Sequence, residues 1–363
     1  MKIIPEKQQK NKSFKSQTFL SFVVLIFIFS APLFAQYKTD KINDLALIYQ
    51  GGVNRLDWTQ DQLLPYVVHQ FADGHKDWLF DGFLFLDFSD GKGRNYAYGY
   101  NKDNARKEEW MWLLNRLFEK EKALSALDDC IQKEKKELGN PKFQHSVVVG
   151  LPIALPKQTD WGVLDGKTLD FNNQSDQIKA MEWYVKQLMK RFKKANYRNI
   201  KLAGFYWIDE DVATCKKLSI DISKYVHSQN KRMYWIPYWK AKGYEQWKQL
   251  GFDIAYQQPN HFFTATIPDS RLDEACQSAL SNNMGMEFEF DERALFTHKN
   301  SFYNRMKAYI DVFEKYSVFK NSAIAYYSGS KAILEMYKSK DPNDFEIMDR
   351  LAKLIVERRS QSK

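Results

Sequence analysis

Three clusters of carboxylates stand where this 363-residue sequence reads as the end of a β-strand. They are Phe85-Leu86-Asp87-Phe88, Gly204-Phe205-Tyr206-Trp207-Ile208-Asp209-Glu210-Asp211 and Met286-Glu287-Phe288-Glu289-Phe290-Asp291-Glu292. In the third, Glu287, Glu289 and Asp291 share one face by the period of two, and Phe288 and Phe290 share the other. A buried row of acids costs several kcal/mol unless it is paired or hydrogen-bonded. A functional site or a set of structural Arg and Lys partners would account for it. In the second cluster, Asp211 or Asp209 is expected to cap a helix starting near Val212, with Glu210 projecting into the site.

Two carboxyls facing each other across one cleft suit the hydrolysis of a glycosidic bond. One protonates the departing oxygen, and the other attacks or stabilises an oxocarbenium-like carbon. The proton donor needs a raised pKa, which desolvation by Tyr206 and Trp207 can supply. Aromatic and amide side chains interleave with the acids in Trp235-Ile236-Pro237-Tyr238-Trp239 and Tyr256-Gln257-Gln258-Pro259-Asn260-His261, and Trp161 lies in a long connection. Flat rings beside hydroxyl-binding groups suit sugars. The candidate sugar-binding residues are therefore Asp87, Tyr206, Trp207, Asp209, Tyr238, Trp239, Asn260, His261, Glu287, Asp291 and Trp161, around acids at the ends of the fourth and seventh strands.

Positioning such a pair needs a scaffold that gathers strand ends. The hydrophobic pattern repeats a short apolar run, a turn and an amphipathic stretch eight times. The strands are predicted at 45–50, 80–88, 146–151, 200–208, 232–238, 253–258, 284–290 and 323–327. Ile178, Met181, Val185, Leu188 and Phe192 mark one helix face. Phe302, Met306, Tyr309, Ile310 and Phe313 mark another, and Phe345, Met348, Leu351 and Ile355 a third. A further helix is expected from about Lys107 to Leu138, ended by Gly139-Asn140-Pro141. Strict alternation implies a parallel sheet, and eight units make a single (β/α)8 barrel. An open doubly wound sheet is the alternative; no Gly-x-Gly-x-x-Gly turn favours its nucleotide-binding forms. Connections 89–106 and 156–174 would be long βα loops at the C-terminal face.

Composition bounds the rest. Forty-four per cent of residues are hydrophobic and 15% aromatic, so a large core is available. The first 35 residues hold five Lys, an apolar run from Phe19 to Phe29 and a small-residue site at Ala35. That pattern reads as a cleaved signal peptide, and the absence of a Cys after Ala35 argues against lipid anchoring. A periplasmic or secreted protein, with its barrel at 36–363 and no stable membrane association, is expected. The net charge of +9 is partly the leader's. The remainder is mixed with acids, with no basic stripe for nucleic acid. Cys130, Cys215 and Cys276 are too scattered for a disulfide scaffold. Six His show no ligand spacing, so neither a metal nor a cofactor is expected.

The segments Leu202-Ala-Gly-Phe-Tyr-Trp-Ile-Asp-Glu210, Trp235-Ile-Pro-Tyr-Trp239 and Gly285-Met-Glu-Phe-Glu-Phe-Asp291 resemble a secreted bacterial family, that of domain of unknown function 4855. The resemblance implies a glycoside-hydrolase-like barrel over nearly all of the chain after the leader. It is also similar in layout to the wider clan of retaining barrels. That likeness implies an acid/base at Glu210 and a nucleophile at Glu289, with Glu287 as the alternative. Where that clan commonly carries Asn, this chain has Asp209. A catalytically silent, carbohydrate-binding barrel is the competing expectation; a third pairs Asp87 with the strand-seven acids.

Overall fold

The computed structural model describes residues 42–360; the predicted leader at 1–35 lies outside the described residues. Eight parallel strands close into one barrel. They are β1 (Asp44–Tyr49), β2 (Gly82–Leu86), β3 (His145–Leu151), β4 (Ile200–Trp207), β5 (Arg232–Trp235), β6 (Ile254–Gln257), β7 (Gly285–Phe290) and β8 (Ile324–Ser328). Each pairs with its chain neighbours, and β1 closes on β8 with Asp44 opposite Ile324. Both faces of such a sheet are covered, so β1, β2 and β3 are buried along their whole lengths and read as nearly unbroken apolar runs. The (β/α)8 barrel expected from the alternation is the fold.

Helix α1 (Gln60–Val67) follows β1, α2 (Lys107–Leu117) and α3 (Ala123–Leu138) follow β2, and α4 (Gln174–Ala195), α5 (Lys216–Ser228), α6 (Ser270–Ser281) and α7 (Tyr303–Lys315) follow β3, β4, β6 and β7, while a 3-10 turn, Tyr244–Gln246, follows β5. Three more, α8 (Val318–Asn321), α9 (Ala332–Lys338) and α10 (Pro342–Ser360), complete the layer. The stretch from Lys107 to Leu138 is two helices, not one. Its break is made by tertiary contacts: Ala123 donates its backbone N–H to Trp58 O at 2.9 Å, and the Trp58 indole donates to Tyr49 O at 2.8 Å. Ala123 adopts φ +42° to do so. The stop at Gly139 holds, with φ +73° past the last turn. On α10, Phe345 is 42% exposed rather than on the buried face, and Phe302 precedes α7 instead of lying in it.

The bottom of the barrel is held by a buried ion pair. Arg358 of α10 donates to Asp44 Oδ1 at 2.8 Å, and Tyr326 of β8 donates to the same atom at 2.8 Å. Chain end and first strand are thereby tied, consistent with a stabilising role for this face. The opposite, C-terminal face carries the long loops. Residues 89–106 fold over it with a two-stranded pair, Arg94–Asn95 against Asp103–Asn104. Residues 156–174 form a hairpin, Val163–Leu164 against Lys167–Thr168. Cys130, Cys215 and Cys276 are buried free thiols. No helix among the described residues is long and apolar enough to cross a membrane.

Candidate active site

Strand β7 sorts its side chains as its alternation requires. Phe288 packs outward, its ring 5.1 Å from Tyr309 and 5.5 Å from Phe313 of α7. Glu287 and Glu289 therefore turn the other way and line a cavity of about 330 Å³ at the C-terminal mouth. Glu210, three residues past the end of β4, reaches the same cavity, as do Tyr206, Asp87 and Asn260.

Two amides link the acids. Gln258 Nε2 donates to Glu210 Oε1 at 2.8 Å, and Asn260 Nδ2 donates to Gln258 Oε1 at 2.9 Å. Asn260 Nδ2 also lies 3.4 Å from Glu289 Oε1. The second oxygen of Glu289 accepts from the Tyr309 hydroxyl at 2.5 Å and from the His261 backbone N–H at 3.3 Å. Glu287 has no hydrogen-bond donor on its carboxyl among the described residues, although it is buried.

Burial dominates the electrostatics. It raises the Glu210 carboxyl, partly offset by the Gln258 amide and the Tyr100 hydroxyl. Glu289 is pushed up to about 7 by burial, against the pull of Tyr309. Glu287 is driven well above the ordinary carboxylate range by burial, then by Glu289 and Glu210. Three neighbouring buried acids oppose one another's ionisation. Asp87 is held by one guanidinium and two backbone amides. It accepts from Gly52 N at 2.6 Å, Phe88 N at 2.9 Å and Arg55 Nε at 3.2 Å. A Cβ on Gly52 would come within 2.8 Å of Asp87 Oδ2, so the close approach of that backbone needs glycine.

A second chamber of about 360 Å³ adjoins the first, sharing Tyr100 and Glu210 with it and lined also by Asp209, Asp211 and Tyr238. Burial pushes Asp209 up to about 6; it accepts from Tyr98 N at 3.3 Å, and the Cys215 thiol lies 3.5 Å away. Neither Asp209 nor Asp211 caps α5, which starts four residues later than expected, after Cys215. Asp211 instead holds the loop, accepting from the Tyr238 hydroxyl at 2.8 Å and from Lys242 N at 3.1 Å.

Five predicted sugar-binding residues do not line either chamber. Trp207 is fully buried, 6.4 Å from Phe252, because it points opposite to Tyr206 along β4. Trp161 packs among Trp110, Trp183 and Phe171 beside a separate groove. Asp291 is taken by Arg293 at 2.7 Å. Trp239 carries the Arg271 guanidinium 4.9 Å above its ring. The His261 ring turns away to Asp269, 2.8 Å from it, and burial pushes it down to about 4; only its backbone serves Glu289. In their place stand Arg55, Tyr49, Tyr100, Gln258, Phe263 and Tyr327. Tyr327 was hidden at the end of an apolar strand and Arg55 in a loop without any motif. Tyr100 and Gln258 sat in segments whose aromatic or amide content already marked them.

Among the described residues no cluster of His, Cys, Asp and Glu is arranged to hold a metal ion. The chemistry available at the mouth is that of carboxyl groups with shifted protonation, aimed at a common space and flanked by hydroxyls and amides.

Comparison with known proteins adds a family and little else. No curated protein matches the sequence. A proposed alpha-L-fucosidase from Bacteroides thetaiotaomicron is similar in structure at 12% identity and a TM-score of 0.43, over 94% of this chain and 100% of that one. A mutant tryptophan synthase alpha-subunit from Pyrococcus furiosus gives 8% identity and a TM-score of 0.41, over 87% of this chain and 99% of the other. The sequence model of the Domain of unknown function DUF4855 matches residues 44–353, from the first barrel strand into the last helix. The chain belongs to the DUF4855 family.

Proposed function

We propose that this barrel is a glycoside hydrolase working through two carboxyls. The observation that carries the reading is the convergence of Glu210 from β4 with Glu287 and Glu289 from β7 on one cavity at the C-terminal mouth, where barrels of this kind build their sites. Glu210, whose carboxyl burial raises, gives its proton to the glycosidic oxygen as the bond from that oxygen to the anomeric carbon breaks. Glu289, oriented by Tyr309, the His261 N–H and Asn260, supplies the ionised oxygen that bonds to that carbon. Water then attacks the same carbon, its proton returns to Glu210, and Glu289 leaves as a carboxylate. Glu287, the most strongly raised acid, stays protonated beneath them and offers a hydroxyl donor to the sugar. Asp87, Tyr206 and Asn260 contact the ring hydroxyls. The leader read from the sequence supports export to the periplasm or outside the cell, and N-terminal sequencing of the exported form tests cleavage after Ala35.

The deciding experiment measures hydrolysis of a panel of glycans by the wild type, Glu210→Gln and Glu289→Gln. Each variant should lose about 10²- to 10⁴-fold in kcat/KM, the scale of a missing proton-transfer group. Full rates in both variants would overturn the assignment. Sugar binding without turnover by the wild type would make the protein a carbohydrate-binding barrel instead.

A further inference from the structure

We infer that the site receives the non-reducing end of a neutral glycan, one sugar in the inner cavity and the next in the outer chamber, with the bond to be cut lying at Glu210. This rests on the hydrolase reading and adds the mode of cleavage and the class of substrate. The two chambers, about 330 and 360 Å³, meet at Tyr100 and Glu210. Each lies near the lower end of the range for ligand pockets, about 300–1,000 Å³, so the two form adjoining subsites of similar size. A proton donor belongs where the departing oxygen passes from one ring to the other, and Glu210 is the acid that faces both spaces.

Direction follows from the other acids. Glu287 and Glu289 border the inner cavity and not the outer chamber. The attacked anomeric carbon therefore belongs to the inner sugar, and the sugar that leaves sits outside. An inner sugar at the end of its chain has no further unit to accommodate, and the cavity is built for that. On the side of the barrel opposite β4, the Arg55 guanidinium spans the ends of three strands. It donates to Asp87 Oδ2 at 3.2 Å and Oδ1 at 3.3 Å, and to Ser330 Oγ at 3.1 Å. It also lies 4.6 Å from the centre of the Tyr49 ring, which meets Tyr327 edge-on at 5.4 Å. That clamp walls the inner cavity where a longer chain would have to continue.

The lining also discriminates by charge. Asp87, Glu210, Glu287 and Glu289 face the inner cavity, and the guanidinium there, Arg55, is already engaged by Asp87. A carboxylated or sulfated terminal sugar would meet the ionised oxygen of Glu289 with the lining guanidinium already paired to Asp87. The outer chamber offers stacking faces instead, Tyr98 at 67% and Tyr238 at 38% exposure.

The test combines binding and products. Neutral gluco-, manno-, galacto- and xylo-oligosaccharides of one, two and four units are titrated calorimetrically into Glu210→Gln, α- and β-linked. Uronate-terminated analogues, and tetrasaccharides capped at the non-reducing end by a bulky acetal, are titrated alongside. Affinity should rise at least tenfold from one unit to two, change less than threefold from two to four, and vanish on capping. The Tyr98→Ala/Tyr238→Ala pair, added to Glu210→Gln, should bring the disaccharide affinity down toward that of the monosaccharide. With wild type, the first product from a tetrasaccharide should be the monosaccharide. Cleavage or binding of capped chains, internal fragments as first products, or preference for the uronate overturns the chain-end inference and leaves the hydrolase reading standing. Length-limited, cap-sensitive binding without any hydrolysis supports the two-chamber geometry and overturns the hydrolase reading. Absence of binding to every probe by the folded protein overturns both.

Discussion

Glu287 and Glu289 leave β7 on the same face, yet among the described residues only Glu289 of the two has donors on its carboxyl, from Tyr309, the His261 N–H and Asn260. The pair is thus divided by its surroundings. Donors favour the ionised form of Glu289, and their absence leaves Glu287 to the full effect of burial. Two like residues two positions apart are thus raised to different extents, Glu287 further than Glu289.

A pH dependence of stability follows. The folded state holds the Glu289 proton up to about 7, whereas 4.5 is its ordinary value. Between those limits the folded chain binds more protons than the unfolded one, so this contribution is full below about 4.5 and is lost as pH rises to 7. His145 and His261, pushed down to about 3 and about 4 by burial, act with the opposite slope below 6.5. The difference between variants isolates the acid. Relative to wild type, Glu289→Gln should gain stability from pH 5 to pH 7 at up to about 1.4 kcal/mol per pH unit. Urea unfolding at four pH values measures it; parallel curves would contradict the buried, proton-holding Glu289.

Removing one donor should move the reaction's acidic limb. Tyr309→Phe deletes the 2.5 Å hydrogen bond to Glu289 Oε2, worth about 1.5–3 kcal/mol for a charged acceptor. The carboxyl then ionises at higher pH. In a pH profile of kcat/KM the acidic limb should shift upward by about one unit or more, with a rate loss at pH 6 of about tenfold or more. An unmoved limb would separate Tyr309 from the chemistry.

Arg55→Ala should weaken the mouth without unfolding the barrel. Asp87 keeps its two backbone donors but loses the half-buried guanidinium, at a cost of about 1–3 kcal/mol in a denaturant titration. Adding Asp87→Asn should recover part of that loss, because no unpaired charge then remains. Strict additivity of the two substitutions would mean they do not interact.

At the bottom face, Arg358→Ala strands the carboxylate of Asp44, which is fully buried and shared with Tyr326. Breaking one partner of a buried pair costs about 3–5 kcal/mol, and Tm should fall accordingly with catalysis at permissive temperature little changed. An Arg358→Met variant should lose less than Arg358→Ala, since it refills part of the volume.

The barrel was legible because its strands announce themselves locally. Every predicted strand is present, with β1, β3, β4, β6, β7 and β8 bounded within one residue at each end. Period-two alternation placed Glu287 and Glu289 opposite Phe288, and that sorting needs no knowledge of distant residues. Helix ends were less legible. The break between α2 and α3 depends on Trp58 and Tyr49, which lie far earlier in the chain, and the position of Asp211 depends on Tyr238 and Lys242.

By itself, the order of residues determined which acids stand at strand ends and which face of each strand they occupy, since backbone geometry ties side-chain direction to parity. Only the closed tertiary structure decided which of them share one cavity and which are occupied elsewhere. Asp291 is taken by Arg293, the His261 ring by Asp269, and Trp207 by the core. Arg55 enters from a loop with no signature because the closure of β1 on β8 brings Ser330 to it and the pairing of β1 with β2 brings Asp87. The physical reason is one of range: periodicity is local, whereas burial, hydrogen bonding and protonation depend on neighbours that the closure of the barrel supplies.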